Sequence, residues 1–506
     1  MVSIRRRQNQ KCHFVGTAEA LVEMNRRFLW RVVTGFALSA AVLFASGALG
    51  QTHEAPDTDI LEQIREGAMT SGWAWDELET LTDSIGPRLS GSAQLDAAIH
   101  QLADGMRRLG AQVRLQPVRV PHWIRGEERA ELTDFVGRPA GTVQSLRLTA
   151  LGGSSSTPLS GLEARVVVVR DFDELKFKAS QVRGAIVLFN ARFDQRLADN
   201  GMARKAYHQV VGYRNSGPSE AAALGASAAL VRSVGGAEYR LPHTGWTDWK
   251  DKQAPIPAAA LSAEDADLVS RLAERGPVKM KLVIGAHQLQ DTDSFNVIAD
   301  WPGVESSDEL IIVSGHLDSW DLGTGATDDG IGVVAAAGVI QVLQQLNLHA
   351  RRTVRFVAWT DNEVGLRGGE TYLKAQGTAV TKHCAAIEDD TGEGRALGIY
   401  AAVSPSVVAS LAPVTSALAP IGATLTDYTD GNVGDDIEPL QIAGVPAFAP
   451  LTDRRHSFDF HHTAADTLDK VAPLDLRSHV ATMAVLAYFL ANRPDCLPRF
   501  PIEVAR

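Results

Sequence analysis

The stretch LIIVSGHLD, residues 310–318, joins a short run of aliphatic residues directly to a histidine and an aspartate. An apolar run of this length that ends in polar residues is typical of a buried β-strand. The pattern recurs downstream at Val354–Trp359, Cys384–Ile387 and Val445–Ala449, and a long apolar helix is predicted over Ile331–Leu346. Buried strands that alternate with helical segments predict an α/β fold for this part of the chain.

Residues of the types that bind metal ions follow these apolar runs. In open α/β sheets the ligand crevice lies beyond the carboxyl ends of the strands. Three candidates directly follow predicted strands and two lie in nearby loops; the five are His316, Asp328, Glu363, Asp390 and His462. The sequence therefore predicts that distant residues share one site at the edge of the sheet.

The residue types in this set indicate a two-metal hydrolase site. Two divalent ions about 3.5–4 Å apart need one bridging carboxylate, and a histidine and a carboxylate complete each site. Zinc is the first expectation, at two Zn²⁺ ions per chain, although manganese or cobalt would also accept nitrogen and oxygen ligands. Asp318 is predicted to accept a hydrogen bond from the His316 imidazole, because it follows two residues later at the same strand end.

Each piece of this pattern has an ordinary structural explanation when it is taken alone. His316-Leu317-Asp318 and His461-His462 would be surface pairs, Asp328-Asp329-Gly330 a helix N-cap and turn, and Glu388-Asp389-Asp390 a solvated acidic loop. The functional interpretation rests on their joint occurrence, in this order and at strand ends.

The chain divides into a signal region, residues 1–50, and three further parts. Residues 51–150 open with helices and are assigned to the main domain, residues 151–290 to a small, separate β-rich domain, and residues 291–506 to the main part with the metal site. Short strands mark the middle part, at Arg165–Val169, Ala185–Phe189 and Ala228–Val231. A chain of 506 residues is too long for one compact core, so two or three domains are expected.

The N-terminus resembles an export signal. Met24 opens a basic segment, an apolar stretch follows over Val32–Ala45, and small residues lead to a cleavage point near Gly50 or Gln51. We expect translation to start at Met24 and the protein to be periplasmic or secreted, without stable membrane insertion after cleavage. A retained N-terminal anchor is the alternative.

The charge and the cysteine content exclude other classes of protein. The formal net charge of −11 argues against nucleic-acid binding, which needs basic patches that neutralise phosphate. The three cysteines do not form a disulfide framework or a cysteine-ligated zinc site, and Cys12 precedes the expected start. Cys384 and Cys496 could pair in an oxidising compartment.

Several motifs together resemble those of the M28 family of co-catalytic zinc peptidases, in its carboxypeptidase Q-like branch. They are Gly315-His316-Leu317-Asp318, Gly325-Ala326-x-Asp328-Asp329-Gly330-x-Gly332, Glu363-x-Gly365-Leu366-Arg367-Gly368, Glu388-x-Asp390 and His461-His462-Thr463-x-x-Asp466-Thr467, with Pro121-His122-Trp123-x-Arg125-Gly126 and Pro242-His243-Thr244-Gly245 in support. The resemblance covers residues 60–495. It implies a mixed-sheet, aminopeptidase-type (phosphorylase/hydrolase-like) catalytic domain, with a protease-associated (PA) domain inserted at residues 151–290.

The resemblance also implies a role for each candidate residue. His316 and Asp390 would bind one zinc ion, Glu363 and His462 would bind the other, and Asp328 would bridge them. Asp318 would orient the first imidazole. Members of this branch cleave short peptides, often dipeptides, and many form homodimers.

One position departs from the family pattern. The family has two adjacent glutamates where this chain has Asn362 and Glu363, so Asn362 occupies the position of the general base. An amide can hydrogen-bond to the attacking water but cannot accept its proton, and loss of a general base costs about 10²–10⁴-fold in rate. Asp361 is a candidate substitute base, although on a strand it would point to the opposite face; its alternative role is that of a polar strand-end residue.

Two functions from different classes follow. The first is an exported two-zinc exopeptidase with weak turnover or a displaced base, and the second is a catalytically impaired metal-binding or scaffold protein that keeps the fold. Asp435 and Asp436 are candidates to bind the α-ammonium group of a substrate, and a helix N-cap with an acidic first turn is the alternative for them.

Overall fold

The computed structural model describes residues 58–236 and 239–502. The predicted export signal, with its expected start at Met24, and Cys12 lie outside the described residues. The strands are β1 (Gln112–Val120), β2 (Trp123–Ile124), β3 (Glu128–Asp134), β4 (Gln144–Leu146), β5 (Leu148–Ala150), β6 (Leu162–Val169), β7 (Ile186–Phe189), β8 (Ala228–Arg232), β9 (Ala258–Leu261), β10 (Lys279–Ile284), β11 (His287–Gln288), β12 (Thr292–Trp301), β13 (Ser306–His316), β14 (Arg352–Trp359), β15 (His383–Glu388), β16 (Ala396–Ala402), β17 (Leu425–Tyr428) and β18 (Ala447–Thr452).

The helices connect and cover these strands. They are α1 (Thr58–Thr70), α2 (Trp73–Glu79), α3 (Ala93–Arg108), α4 (Phe172–Phe177), α5 (Ala179–Val182), α6 (Gln195–Asp199), α7 (Ala203–His208), α8 (Val211–Asn215), α9 (Gly217–Ala223), α10 (Ala263–Ala273), α11 (Ile331–Gln345), α12 (Arg367–Gln376), α13 (Pro405–Val408), α14 (Ala412–Leu418), α15 (Glu438–Ile442), α16 (Ser457–Phe460) and α17 (Pro473–Ala491). The predicted apolar helix is present as α11, one residue shorter than expected.

The first sheet has eight strands in the order β1-β12-β14-β13-β15-β18-β16-β17. Its four central strands, β14, β13, β15 and β18, run parallel, whereas β1, β12 and β16 each pair antiparallel with a neighbour. The predicted apolar runs are therefore the central strands, and the mixed-sheet α/β architecture is confirmed. Central parallel strands are buried on both faces, which explains their continuous apolar sequence.

Helices cover both faces of this sheet. On β13, Ile311 and Val313 pack into the layer formed with α1, α3, α11 and α17, while Ile312 packs into the opposite layer with α12 and α15. This alternation follows from the two-residue period of a strand. The segment Ala326–Gln345 is long and apolar enough to cross a membrane, but 94% of its apolar window is buried inside the fold, as in the core helix of a globular protein.

The second sheet also has eight strands, in the order β4-β3-β10-β6-β7-β8-β9-β5. The predicted strands of the middle segment are present as β6, β7 and β8, which run parallel. Parallel neighbours need crossover connections, and α4–α9 supply them, so this part contains more helix than a β-rich domain. Its first strands, β3–β5, come from Glu128–Ala150, ahead of the segment assigned to the insert from the sequence.

A disulfide joins Cys384, on β15, to Cys496, in the segment after α17, with the Cα atoms 4.8 Å apart. It closes a loop with a sequence separation of 112 residues. The pairing left open by the sequence is therefore present in the structure, and it ties the C-terminal segment to a central strand.

Candidate active site

The carboxyl ends of three neighbouring parallel strands bring the first candidate residues together. His316 is the last residue of β13, residues 361–363 follow β14, and Asp390 lies two residues beyond β15. Because β13 pairs with both β14 and β15, these strand ends meet at one edge of the sheet. The expected convergence of strand-end residues is therefore present.

Asp328 lies at the centre of the cluster, in the turn Ala326–Gly330 that leads into α11. Its Oδ1 atom is 3.2 Å from His316 Nε2, and its Oδ2 atom is 3.2 Å from His462 Nε2. The turn is held by Asp466, which accepts hydrogen bonds from the main-chain N–H groups of Thr327 (2.6 Å) and Asp328 (3.2 Å). One carboxylate thus faces two imidazoles that lie 146 residues apart in the chain.

The two remaining carboxylates lie on opposite sides of Asp328. Glu363 Oε2 is 3.0 Å from His462 Nε2, and Asp390 Oδ1 is 3.8 Å from His316 Nε2. His461 also approaches the centre, because its Nε2 atom is 3.6 Å from Asp328 Oδ2 and its ring stacks on that of His462 at 3.6 Å. The geometry gives two groups, each with one histidine and one carboxylate, on either side of a shared aspartate.

Hydrogen bonds at Nδ1 orient both imidazoles. His316 Nδ1 lies 2.9 Å from the main-chain carbonyl of Asp318, and His462 Nδ1 lies 3.2 Å from that of Thr244. At His462, Nδ1 also lies 3.3 Å from Arg214 Nη1, which can only donate. At His316 the carbonyl can only accept, so Nδ1 carries the proton and the Nε2 lone pair faces the carboxylates. This is the tautomer that a metal ligand requires.

Unsatisfied polar atoms show that the residues fit a metal centre. Asp328 Oδ2 and Glu363 Oε1 are buried and have no hydrogen-bond partner among the described residues. A buried carboxylate without a partner is costly unless it is paired or coordinates a metal. His316, Asp328 and Asp390 place their donor atoms within 4.8 Å of one another, as do Asp328, His461 and His462. This nitrogen and oxygen donor set suits zinc and similar divalent ions.

The electrostatics of the cluster follow from burial and mutual repulsion. Burial, with the nearby charge of Asp328, raises the pKa of Glu363 to about 7. Burial likewise raises the pKa of Asp390 to about 6. Burial alone would lower the pKa of His316, but the carboxylates of Asp328, Asp329 and Asp390 raise it well above its usual value. Without cations, the cluster therefore holds carboxylates whose charges are poorly compensated.

Asp318 has a different contact from the one expected. Its carboxylate lies 3.8 Å from His316 Nδ1, and it is the main-chain carbonyl of the same residue that accepts from the imidazole. The carboxylate instead accepts from the main-chain N–H groups of Asn362 (3.0 Å) and Glu363 (3.1 Å). Asp318 therefore positions both the imidazole and the loop after β14, through different atoms.

Asn362 and Asp361 face different surroundings. Asn362 lines the cleft, and its Nδ2 donates to Asp436 Oδ2 at 2.8 Å. Asp361 is fully buried, does not line the cleft, and its Oδ2 atom lies 3.9 Å from Arg367 Nε. Burial, followed by the charge of Asp318, raises the pKa of Asp361 to about 8. The residue predicted as a substitute base is thus buried and does not line the cleft.

The two aspartates predicted to meet a substrate are also separated. Asp435 lines the cleft, whereas Asp436 is 1% exposed and is absent from the cleft wall. Neither caps α15, because Ile437 is the N-cap residue and no side chain bonds there. Asp436 contacts Asn362 instead, and the charge of Asp436, after burial, raises the pKa of Glu388 well above its usual value.

A cavity of about 440 Å³ opens above the cluster. Its wall comes from both parts of the fold. The loops at the strand ends of the first sheet contribute Asp328, Asn362, Glu363, Asp390 and Asp435. The helices that flank the second sheet contribute Arg204, Tyr207, His208 and Arg214. A cavity of this size accommodates a small ligand rather than a folded protein.

Some residues that organise the site were not assigned a role from the sequence. Asp329 accepts from the main-chain N–H of His316 at 2.9 Å, and Asp389 bonds to His479 Nδ1 at 2.7 Å. Arg214 Nη1 lies 3.3 Å from both the Thr244 carbonyl and His462 Nδ1. Asp466 and Thr244 belong to motifs that the sequence analysis quoted, so that signal was present; no sequence signal marks Asp389 or Arg214.

Comparison with known proteins supports the class indicated by this geometry. Residues 296–487 match peptidase family M28. Carboxypeptidase Q from Homo sapiens is 36% identical over 428 residues, which cover 84% of this chain and 87% of that protein. The crystal structure of a peptidase M28 precursor from Shewanella amazonensis SB2B is 34% identical, with a TM-score of 0.82 over 88% of this chain and 99% of that chain. The zinc aminopeptidase of Bacillus subtilis has the same fold, with a TM-score of 0.61 at 19% identity over 85% of this chain and 98% of that chain.

A cluster of imidazoles and carboxylates at the carboxyl edge of a mixed sheet is typical of a metal-dependent hydrolase. The chain belongs to peptidase family M28 and is a metallopeptidase related to carboxypeptidase Q. The resemblance identified from the sequence motifs is confirmed.

Proposed function

We propose that this protein is an exported exopeptidase that hydrolyses dipeptides or other short peptides at a two-zinc centre, with Asn362 in place of the general base. The observation that carries the proposal is the position of Asp328, whose two carboxylate oxygens each lie 3.2 Å from a different imidazole. A carboxylate shared in this way is the arrangement that a pair of divalent ions requires.

The residues divide into two ligand groups. His316 and Asp390 would hold one zinc ion, Glu363 and His462 the other, and Asp328 both. When bound, the two cations supply Lewis acidity, which polarises a scissile carbonyl and acidifies water at neutral pH. The relatives of this chain include proteins named carboxypeptidase Q and zinc aminopeptidase, in agreement with this chemistry.

Around the ligands, the chain's own residues hold the geometry. The carbonyls of Asp318 and Thr244 orient the two imidazoles, and the Asp318 carboxylate holds the main chain at Asn362 and Glu363. Asn362 donates through Nδ2 to Asp436, so its Oδ1 atom is left to accept a hydrogen bond in the cleft. That oxygen can position the attacking water but cannot take its proton. Slow turnover follows.

The whole chain would comprise a signal region, a catalytic domain and an inserted domain. The segment that carries the second sheet would be a protease-associated domain inserted into the catalytic domain. Its boundaries lie near residues 151 and 290 by the sequence assignment. The strands that pair in the second sheet extend instead from Glu128 to Ile284. The signal region would direct export and be removed near Gly50. The Cys384–Cys496 disulfide supports an oxidising compartment. A homodimer is the proposed assembly.

Hydrolysis and metal content together test the proposal. Purified protein is assayed with zinc on a panel of dipeptides, and bound metal is counted by mass spectrometry. We expect slow release of amino acids, close to two zinc ions per chain, and loss of both in Asp328→Asn. Asp173→Asn is the matched control. This substitution removes the same charge, but from a side chain that is 95% exposed. Wild-type protein that binds neither zinc nor peptide would refute the proposal.

The alternative function is a binding or scaffold role, favoured by the amide of Asn362 at the base position. It predicts metal and peptide binding without turnover by the wild-type protein, with turnover gained in Asn362→Glu. The same assay therefore separates the two functions.

A further inference from the structure

Two arginines from distant parts of the chain line the same cavity. Arg204 belongs to α7, among the helices that flank the second sheet, and Arg454 lies in the loop after β18 of the first sheet. The cavity that they share is also lined by Asp328, Glu363 and Asp390, which are candidate metal ligands. A pair of cations thus faces the proposed reaction centre.

Among the described residues, the hydrogen-bond partners of both guanidinium groups are uncharged. Arg454 donates from Nε to the carbonyl of Thr391 (2.8 Å) and from Nη2 to the carbonyl of Asp390 (2.7 Å). Arg204 donates from Nε to the His208 ring at 3.3 Å. Within residues 58–236 and 239–502, neither forms an ion pair with a carboxylate within 4.0 Å. Each arginine therefore keeps N–H donors that are free to bind a ligand.

The neighbouring Arg455 shows the ordinary arrangement. Its guanidinium pairs with both carboxylate oxygens of Asp453, at 2.8 and 2.6 Å, and it does not line the cavity. By contrast, Arg204 and Arg454 both line the cavity, and neither guanidinium group has such a carboxylate partner among the described residues. An anion bound between the two guanidinium groups would receive charge-assisted hydrogen bonds from both.

The position of Arg454 limits how far this anion lies from the metal cluster. Its Nη2 atom bonds to the carbonyl of Asp390, and the carboxylate of that residue lies 3.8 Å from His316 Nε2. An extended peptide spans at most about 3.3–3.6 Å per residue. Consider a peptide whose scissile carbonyl lies at the cluster and whose anionic group contacts Arg454. That anionic group is therefore about one residue beyond the scissile carbonyl.

We propose that Arg204 and Arg454 bind the C-terminal carboxylate of the substrate and so select peptides in which the scissile bond precedes the last residue. Guanidinium groups recognise carboxylates through paired, charge-assisted hydrogen bonds. The inference rests on the proposed function, since it places the scissile bond at the metal cluster. It deepens that function, because it specifies dipeptides and peptides that lose their C-terminal residue as substrates, rather than peptides with a blocked C-terminus.

Ligand binding by the zinc-loaded, full-length protein tests the inference without requiring turnover. The probes are the reduced analogue of alanyl-leucine, in which CH₂–NH replaces the peptide CO–NH, and the C-terminal amide of that analogue. Calorimetry is expected to give a Kd for the carboxylate at least about tenfold below that for the amide, the usual scale for a hydrogen bond to a charged group. In Arg204→Gln/Arg454→Gln, the ratio is expected to fall below about twofold.

Arg455→Gln is the matched control, because it removes the same charge one residue away, and it should keep the wild-type ratio. Arg204→Gln alone guards against misfolding, because within the described part of the chain that side chain bonds to His208 alone. It should lower the ratio at least about threefold. Equal affinity of wild-type protein for carboxylate and amide, failure to bind either probe, or an unchanged ratio in the double variant would overturn the inference. An intact carboxylate preference in protein that hydrolyses no dipeptide would contradict the proposed function alone.

Discussion

Asn362 is the residue at which the proposed chemistry is weakest. In the proposed function its amide occupies the position of the general base. It is held in the cleft by Asp318 through the main chain and by Asp436 through Nδ2. The site is thus built around the amide rather than left with a gap. The sequence predicted the substitution and its chemical consequence, but the contact with Asp436 depends on a loop 74 residues away.

Restoring the carboxylate should restore turnover. We expect Asn362→Glu to raise kcat for dipeptides by about 10²-fold or more, since general-base catalysis typically contributes about 10²–10⁴-fold. Steady-state kinetics with zinc present measure the change. Asn362→Gln is the matched control, with the size of glutamate but no basic group, and it should show no gain. A folded, zinc-loaded Asn362→Glu protein without a rise in kcat would contradict the assignment of this position.

Asp361 should affect stability rather than catalysis. Its folded-state pKa of about 8 lies above the usual carboxyl value, so the folded state binds the proton more tightly and stability falls as pH rises from about 4 to 8. Asp361→Asn removes this titration. We expect its unfolding free energy to exceed that of wild-type protein by about 1–3 kcal/mol at pH 8 and to approach it near pH 4.

Chemical denaturation at both pH values measures this difference, and kcat of Asp361→Asn should stay within about twofold of the wild-type value, because the side chain does not line the cleft. Loss of most activity in a stable Asp361→Asn protein would instead support Asp361 as the substitute base.

At the scale of elements, the strand β13 and the helix α11 must approach closely for the site to form. Gly332, in the first turn of α11, leaves no room for a side chain, since a Cβ atom there would overlap the carbonyl oxygen of Asp389 and the carboxylate of Asp329. On the facing strand, a Cβ atom on Gly315 would lie 2.6 Å from the main-chain nitrogen of Val333. The two glycines let the helix begin beside the strand ends that carry the candidate metal ligands.

We expect Gly332→Ala to destabilise the protein by about 3 kcal/mol or more, because a rigid main-chain carbonyl must move, and to reduce zinc binding through the displaced Asp389–Asp390 loop. Thermal unfolding and metal analysis measure the two effects. Gly338→Ala is the control within the same helix: its Cβ atom would meet only Val480 methyl groups at 3.1 Å, and alanine favours the helix by about 1 kcal/mol. Similar losses in both variants would contradict this explanation.

The elements themselves were predictable to different degrees. The central strands β13, β14 and β15 were predicted, because strands buried on both faces have continuous apolar sequences. The edge strand β1 was not predicted, since it is half exposed and carries charged residues, and its pairing with β12 joins Gln112 to Asp300 across the inserted segment. Edge strands are defined by a distant partner, which no local pattern reveals.

At the scale of the whole molecule, the disulfide fastens the end of the chain to the sheet. We expect Cys384→Ser/Cys496→Ser to lose about 4 kcal/mol of unfolding free energy, in line with the loop-closure entropy of a crosslink of this span. Thermal or denaturant unfolding with and without a reductant measures the loss. The reductant should destabilise the wild-type protein and leave the double variant unchanged; equal sensitivity of the two proteins would contradict the pairing.

The cleft is also a property of the whole molecule. Arg204 and Thr244 come from the part with the second sheet, while Arg454 and His462 come from the first. Arg204, Arg454 and His462 line one cavity, and Thr244 contacts His462. The sequence predicted the second segment as a separate domain. Thr244 belongs to a motif that the sequence analysis quoted, but no sequence pattern marks Arg204, so its place in the cavity wall was not predicted.

The sequence alone determined the chemistry available to this protein. Histidines and carboxylates at the ends of apolar runs imply a metal centre, because strand ends meet at one edge of a sheet and these side chains suit divalent ions. Only the tertiary structure decided which groups lie together: that Asp328 lies between two imidazoles, that Asp361 is not part of the cleft wall, and that Arg204 and Arg454 line the same cavity. The reason is physical, since residue types and local periodicity act over a few positions, whereas these contacts arise from the packing of segments 100 to 250 residues apart.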